Sequence, residues 1–144
     1  MLSEYPIADM HVFPLIREAG RLRLLRESDH LLRRFGQLEL MDLSAGEQTE
    51  FTLRAEADRF LFPINGSLEA TLLDLRESSP SKNVSTEIKL NDVNPKGLLV
   101  PFGVACFLAT TATARVIILS THSESHPEDR SATSDELSQY TASQ

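Results

Sequence analysis

Residues 59–75, RFLFPINGSLEATLLDL, decide the fold class of this chain. Leu68, Ala70 and Leu72 recur at every second position, which is the period of a β-strand with one buried face. Asn65-Gly66 separates this run from the apolar run before it, and Asn-Gly tolerates the positive φ angles of a type I′ turn. The stretch therefore predicts two strands joined as a hairpin.

The same pattern of short strands extends over most of the chain. Runs of period two, broken about every eight to twelve residues by Gly, Pro, Asn or Ser, are typical of an all-β sandwich or barrel. The predicted strands are residues 11–16, 21–26, 37–43, 50–54, 59–64, 67–75, 85–90, 98–101, 106–109 and 114–120. We therefore predict one all-β domain over residues 1–121.

Residues 122–144 differ in composition from the rest of the chain. They contain five acidic residues against one basic residue, and a helical pattern is confined to residues 135–140. We predict a polar, acidic tail that is partly disordered and carries one short helix. His122, Glu124 and His126 alternate as Zn²⁺ ligands on an extended segment would, but the Ser-rich context favours a solvated tail.

Composition excludes several classes of protein. The formal net charge of −7 argues against nucleic-acid binding, which depends on Lys and Arg neutralising phosphates. No apolar run is long enough to cross a bilayer, and residues 1–10 lack the features of a signal peptide. Cys106 is the single cysteine, so no intrachain disulfide can form. These features predict a cytoplasmic protein without a membrane or nucleic-acid partner.

Three segments resemble the half-motifs of cupins, the double-stranded β-helix or jelly-roll proteins: residues 66–76, 88–91 and 97–104. The pattern is most similar to that of the WxcM/FdtA-like 3,4-ketoisomerases, which act on dTDP-4-keto-6-deoxyhexoses. RmlC-like dTDP-4-dehydrorhamnose 3,5-epimerases are related to these enzymes. The likeness covers about residues 20–140. It implies a cupin fold, a nucleotide-sugar or carbohydrate ligand, and a homodimer.

The resemblance also shows which chemistry is missing. The family's His-x-His motif falls on Thr52 and Arg54, and the acid that follows it falls on Asp58. Cys106 stands where metal-binding or base-using cupins have a His, and Arg59 stands where the epimerases have a pocket lysine. Because Arg54 is always cationic and repels a metal ion, we expect no metal and no cofactor.

The candidate ligand-binding residues that remain are Thr52, Arg54, Asp58, Arg59 and Cys106. A guanidinium can bind an anion through its planar fork, but Arg54 and Asp58 could equally form a structural salt bridge. Cys106 is typical of a small buried apolar residue rather than a nucleophile, because no His lies in the strands to form a thiolate. His11 and His30 are isolated and are interpreted as structural.

Three functions are compatible with this pattern. The first is a divergent, metal-free cupin that binds a carbohydrate or nucleotide sugar without catalysis. The second is an active sugar-nucleotide isomerase or epimerase whose proton transfers have moved to Asp58, Glu39 or Glu50. The third is a structural cupin that serves only to form dimers, since unpaired edges at residues 11–16 and 116–119 would invite pairing.

Overall fold

Two antiparallel five-stranded sheets face each other in the computed structural model, which describes residues 5–142 and the side chains of residues 5–138. The first sheet has the order β1-β9-β6-β11-β4 and the second the order β12-β5-β10-β7-β8. Strands β2 and β3 form a separate hairpin. The elements are β1 (His11–Pro14), β2 (Ile16–Glu18), β3 (Arg21–Arg23), a 3₁₀ turn (Glu27–Asp29), β4 (Gln37–Leu43), β5 (Thr52–Leu53), β6 (Arg59–Asn65), β7 (Ser67–Asp74), β8 (Ser85–Asn91), β9 (Lys96–Val100), β10 (Val104–Ala109), β11 (Ala114–Ser120), β12 (Arg130–Ser131) and α1 (Ser134–Ala142).

Apolar side chains fill the space between the two sheets. Leu61 and Val116 point inward from the first sheet, and Leu72 and Val104 point inward from the second. Ile7, from the segment before β1, is fully buried in the same cluster. Burial of these side chains is the main force that holds the sandwich closed, because each removes a large apolar surface from water.

A second apolar cluster lies on the outer side of the first sheet. Phe60 and Phe62 are buried there beneath Leu22 of the β2–β3 hairpin and the segment that follows it. Alternation within a strand does not distinguish the two layers. Ile64 and Leu99 belong to this outer cluster, whereas Leu61 belongs to the interior.

The predicted hairpin at Asn65-Gly66 is wrong. β6 pairs with β9 and β11, whereas β7 pairs with β8 and β10, so the chain crosses from one sheet to the other at this point. Gly66 has φ +77°, but Asn65 is not among the residues with positive φ. A β-carbon on Gly66 would lie 2.5 Å from the Thr113 carbonyl oxygen, so the corner requires glycine for space as well as for conformation.

One of the two predicted edges is found at β1, but the other, at residues 116–119, is wrong. β11, which contains residues 116–119, lies between β4 and β6, and the edges of the first sheet are β1 and β4. Edge strand β4 presents Leu38 and Leu40 on its outer face, where they are 60% and 56% exposed. Phe35, just before this strand, is also exposed.

A buried carboxylate anchors one end of the interior. Asp74 is fully buried at the end of β7 and accepts hydrogen bonds from Arg76 Nε at 2.9 Å and Ser81 Oγ at 2.6 Å. Arg76 in turn donates to the carbonyl oxygen of Ala8 at 2.8 Å. Burial raises the pKa of Asp74, but the hydrogen bonds from Arg76 and the nearby serines outweigh it and lower that pKa. The network therefore ties the N-terminal segment, with Ile7, to the barrel.

The expected short C-terminal helix is confirmed as α1, and it has a capping box. The Thr133 amide donates to Glu136 Oε1 at 2.8 Å, and the Glu136 amide donates to Thr133 Oγ1 at 3.2 Å. Arg130 holds both Glu136 oxygens, at 2.7 and 2.9 Å. Within residues 5–142, no helix has the length and apolar character needed to cross a membrane.

We expect Glu136→Gln to destabilise α1 without changing the stability of the barrel. The hydrogen bonds from Arg130 lower the pKa of Glu136 to about 2, so its carboxylate stabilises the helix above the unfolded value near pH 4 and loses that effect as pH falls toward 2. Gln keeps an oxygen that can cap the helix, so the variant loses the charge paired with Arg130, which is worth about 1 kcal/mol. Amide hydrogen exchange in residues 134–142 should speed up about fivefold, with little change in barrel amides. Asp135→Asn, an exposed first-turn acid, is the control, and equal exchange rates in both variants would contradict the prediction.

Candidate functional site

Polar side chains collect on the inner face where β6 begins and β11 ends. Arg59 pairs with Ser120, and Ser120 pairs with Gln37 of β4. Leu61 lies in the interior cluster, and alternate residues of a strand share a face, so Arg59 also faces inward. On the second sheet, Cys106 pairs with Thr52 and lies in the same cluster. The sheets thus bring a guanidinium, two hydroxyls, an amide and a thiol to one end of the interior.

Backbone carbonyls hold the Arg59 guanidinium in place. Nη2 donates to the carbonyl oxygens of Thr52 at 3.0 Å and Val104 at 3.2 Å, and Nη1 lies 3.5 Å from Thr52 Oγ1. Nε is buried and has no hydrogen-bond partner among the described residues. Burial lowers the pKa of Arg59, as does the nearby charge of Arg54. The site therefore contains a fixed, desolvated cation whose Nε donor is unused.

Cys106 is a protonated thiol at neutral pH. Burial raises its pKa to about 11, although the Arg59 charge acts in the opposite direction. A thiol with this pKa supplies neither a nucleophile nor a base near pH 7. In this position it contributes apolar surface beside Arg59 and Thr52.

Arg54 does not join this group. β5 ends at Leu53, and the Arg54 side chain reaches the loop before β12, where Nε donates to Asp129 Oδ2 at 3.0 Å. Its Nη2 donates to the carbonyl oxygens of His122 at 3.3 Å and Glu124 at 3.0 Å. Asp129 also accepts from the Ala55 amide at 2.7 Å. Arg54 thus fastens the start of the C-terminal tail to the barrel.

Asp58 is also directed away from Arg59. Its Oδ1 accepts from the Phe102 amide at 3.1 Å, and its Oδ2 accepts from Arg33 Nε at 3.0 Å. Because neighbouring residues of a strand point to opposite faces, the inward position belongs to Arg59 rather than to Asp58. Asp58, which the sequence analysis placed among the ligand-binding candidates, therefore lies outside this group.

The two other acids considered for catalysis occupy different places. Glu39 pairs with Ile118, whose side chain packs on the interior, so Glu39 lies on the inner face of edge strand β4. It is exposed and accepts from Gln37 Nε2 at 2.8 Å. Glu50 is exposed just before β5. Glu39 therefore shares a face with Arg59, two strands away.

The donor set does not suit a metal ion. Thr52, Arg59 and Cys106 supply a hydroxyl, a cation and a protonated thiol, whereas a divalent metal needs neutral imidazoles, thiolates or carboxylates. Among the described residues, no group of three or more His, Cys, Asp and Glu side chains is arranged to hold a metal. The absence of a metal from the protein remains a prediction.

The histidines singled out in the sequence have separate environments. His122 Nε2 lies 3.2 Å from Glu56 Oε1, and its Nδ1 lies 2.9 Å from Thr121 Oγ1. His126 Nδ1 accepts from the Glu128 amide at 3.1 Å. His11 packs edge-on against Tyr5, and His30 caps the 3₁₀ turn with φ +53°. The alternation of His122, Glu124 and His126 therefore does not produce a shared site.

Solved structures of sugar-nucleotide enzymes are similar to this one. The dTDP sugar isomerase of Desulfovibrio desulfuricans G20 matches with a TM-score of 0.80 and 20% identity, over 90% of this chain and 87% of that one. The Mycobacterium tuberculosis rmlC epimerase matches with a TM-score of 0.82 and 16% identity, over 95% of this chain and 75% of that one. The Legionella pneumophila Philadelphia 1 epimerase RmlC, solved with dTDP-4-keto-L-rhamnose, matches with a TM-score of 0.76 and 17% identity, over 91% and 77% of the two chains. The chain has the RmlC-like cupin fold.

One curated relative is similar to part of the chain. The spore coat polysaccharide biosynthesis protein SpsL of Bacillus subtilis (strain 168) is 33% identical over 82 residues, which are 57% of this chain and 54% of SpsL. The chain thus spans about half the length of this relative. No protein-family model matches the sequence. The predicted jelly-roll fold is confirmed, while the 3,4-ketoisomerase subfamily remains a prediction.

Sequence reasoning missed Ser120 and Gln37. Ser120 is the register partner of Arg59 on one side and of Gln37 on the other, because β11 lies between β6 and β4. The alternation within each strand was visible, and it placed residues on faces. Which strands are neighbours was not visible, and that pairing brings Ser120 and Gln37 to the site.

Proposed function

We propose that this protein is a nucleotide-sugar-binding cupin that does not isomerise its ligand. The observation that carries the proposal is the buried guanidinium of Arg59 on the inner face, beside Thr52 and Cys106, which stand where the resemblance implies histidines. Arg59 and Thr52 offer hydrogen-bond donors, and the protonated thiol of Cys106 offers no base. The likeness of the fold to dTDP-sugar enzymes supports a dTDP-linked ligand.

Binding can be tested directly by isothermal titration calorimetry with dTDP and dTDP-glucose. We expect dissociation constants in the micromolar range, and we expect Thr52→Val to weaken binding of dTDP-glucose by about tenfold through loss of one hydrogen bond. Thr111→Val, on the exposed turn between β10 and β11, is the control. Absence of any heat with either ligand at millimolar concentration would contradict the proposal.

Glu39 supports a second candidate function, that of an isomerase with a relocated base. Its carboxylate lies on the inner face of β4 and is exposed to solvent, so a ligand in the barrel mouth could reach it. An isomerase also needs an acid on the opposite side of the sugar from its base. Cys106, with a pKa of about 11, is a poor proton donor at neutral pH. The non-catalytic function is therefore preferred.

The homodimer remains a proposal, and edge strand β4 is the surface that supports it. Leu38 and Leu40 form an apolar strip next to a free strand edge, which a second copy would cover. We expect Leu40→Glu to raise the dimer dissociation constant at least about tenfold without lowering the melting temperature. Light scattering at tens of micromolar measures this, with Val93→Glu, at a site that is 90% exposed, as the control. Wild-type protein that is monomeric at this concentration would refute the dimer.

A cytoplasmic location is also proposed rather than observed. It rests on the cysteine content of the chain, which allows no intrachain disulfide. Fractionation of the native host would test it.

A further inference from the structure

The charge of Arg59 has no counterion in the structure. None of the ion pairs among the described residues includes Arg59, and the acid whose field reaches it, Asp129, is bound to Arg54. The hydrogen bonds of Arg59 are made to neutral oxygens of Thr52 and Val104. A desolvated cation without a partner is costly, and an anion supplied by a ligand would offset that cost.

The unused donor shows where such an anion would bind. Both carbonyl contacts are made by Nη2, so the guanidinium is oriented before a ligand arrives. Nε is buried and lacks an acceptor, and Thr52 Oγ1 lies beside Nη1 at 3.5 Å. An oxygen placed at Nε would complete the hydrogen bonding of the guanidinium, and the Thr52 hydroxyl could donate to the same group.

Charge balance indicates the kind of anion. One cation matches one negative charge, whereas a diphosphate carries more charge and requires several donors, and the nearby Arg54 is committed to Asp129. A neutral keto oxygen would satisfy Nε but leave the positive charge uncompensated. A carboxylate on the sugar satisfies both requirements.

We propose that Arg59 Nε and the Thr52 hydroxyl bind the carboxylate of a nucleotide-linked uronic acid. This inference rests on the proposed function, because it assumes that a nucleotide sugar enters the barrel. It adds the class of sugar, which the fold alone does not specify. Specificity would arise because neutral sugars leave the Arg59 charge unpaired.

The test compares three ligands that differ only in the sugar. Calorimetry at pH 7 with dTDP, dTDP-glucose and dTDP-glucuronic acid should show dTDP-glucuronic acid binding about ten to a hundredfold tighter than dTDP-glucose. Arg59→Gln should reduce that preference to less than about threefold, and the readout is the ratio of the two dissociation constants within each variant. Arg115→Gln, which removes an exposed arginine paired with Asp42, should keep the full preference.

Each result decides between the two proposals. Equal binding of the uronic acid and the neutral sugar by wild-type protein would overturn the carboxylate site and leave the proposed function standing. No binding of any of the three ligands would overturn both. A preference that survives in Arg59→Gln would remove Arg59 from the site, and Arg59→Met, which also removes the charge, provides the same comparison if the Gln variant does not fold.

Discussion

Replacing Asp74 with Ala should lower the free energy of unfolding by about 3–5 kcal/mol, because it leaves the Arg76 guanidinium largely buried without its carboxylate. Arg76 would lose two oxygens that it contacts at 2.9 and 3.0 Å, and the hydroxyls of Ser79 and Ser81 would lose their acceptor. For a domain of this size, the melting temperature should fall by about 6–20 °C. Thermal and urea unfolding followed by circular dichroism measure both quantities.

Asp9→Asn is the matched control for this prediction. Asp9 contacts the same guanidinium at 3.1 Å, but its side chain is 76% exposed, so its removal should cost less than about 1 kcal/mol. Because the pKa of Asp74 is lowered in the folded protein, its contribution is present above the unfolded value near 3.9 and is lost as pH falls through the folded value. Asp74→Ala should therefore differ most from wild type near neutral pH and least at strongly acidic pH. Equal stability of the two Asp variants would show that the network does not anchor the barrel.

Period-two alternation predicted most strands to within a few residues but did not predict their partners. β4 and β11 have the predicted bounds, because burial on one face determines where a strand begins and ends. Asn65-Gly66 indicates that the chain reverses direction. Such a reversal occurs both in a hairpin and in a crossover from one sheet to the other. The choice depends on which strands lie alongside β6 and β7, and that information resides in contacts between distant residues.

The candidate site was predicted in part for the same reason. Thr52, Arg59 and Cys106 meet on the inner face, as strand alternation and the resemblance together imply. Arg54 was expected beside Thr52, but its partner is Asp129 in the tail, 75 residues away in sequence. Asp58 and Arg59 were both expected in the pocket, but adjacent residues point to opposite faces, so Arg59 lies on the inner face and Asp58 contacts Arg33 and the Phe102 amide instead. Local patterns identify the face of the strand on which a residue lies. A long-range ion pair can direct a side chain away from that face, as Asp129 does with Arg54.

These placements also explain how binding and catalysis could separate in one barrel. Arg59 needs only its charge and its fixed orientation to bind an oxyanion, and two backbone carbonyls supply that orientation. Proton transfer needs a group that exchanges its proton near pH 7. Cys106 is the register partner of Thr52 and lies in the same interior cluster. Its pKa of about 11 is too high for proton exchange near pH 7.

We therefore expect dTDP-4-keto-6-deoxyglucose to be converted at least 10²- to 10⁴-fold more slowly than by an enzyme with a positioned acid and base. Moving a keto group along the ring, or inverting C3, begins with removal of the C3 proton. Thr52 and Cys106, which stand at positions of the family's histidines, cannot accept that proton at pH 7. The measurement is NMR of the sugar ring protons during incubation with the protein in deuterated water, with an intact epimerase as the positive control. Deuterium uptake at C3 within minutes at micromolar protein would contradict the expectation, and its loss in Glu39→Gln but not in Glu50→Gln would identify the base as the carboxylate on the inner face of β4.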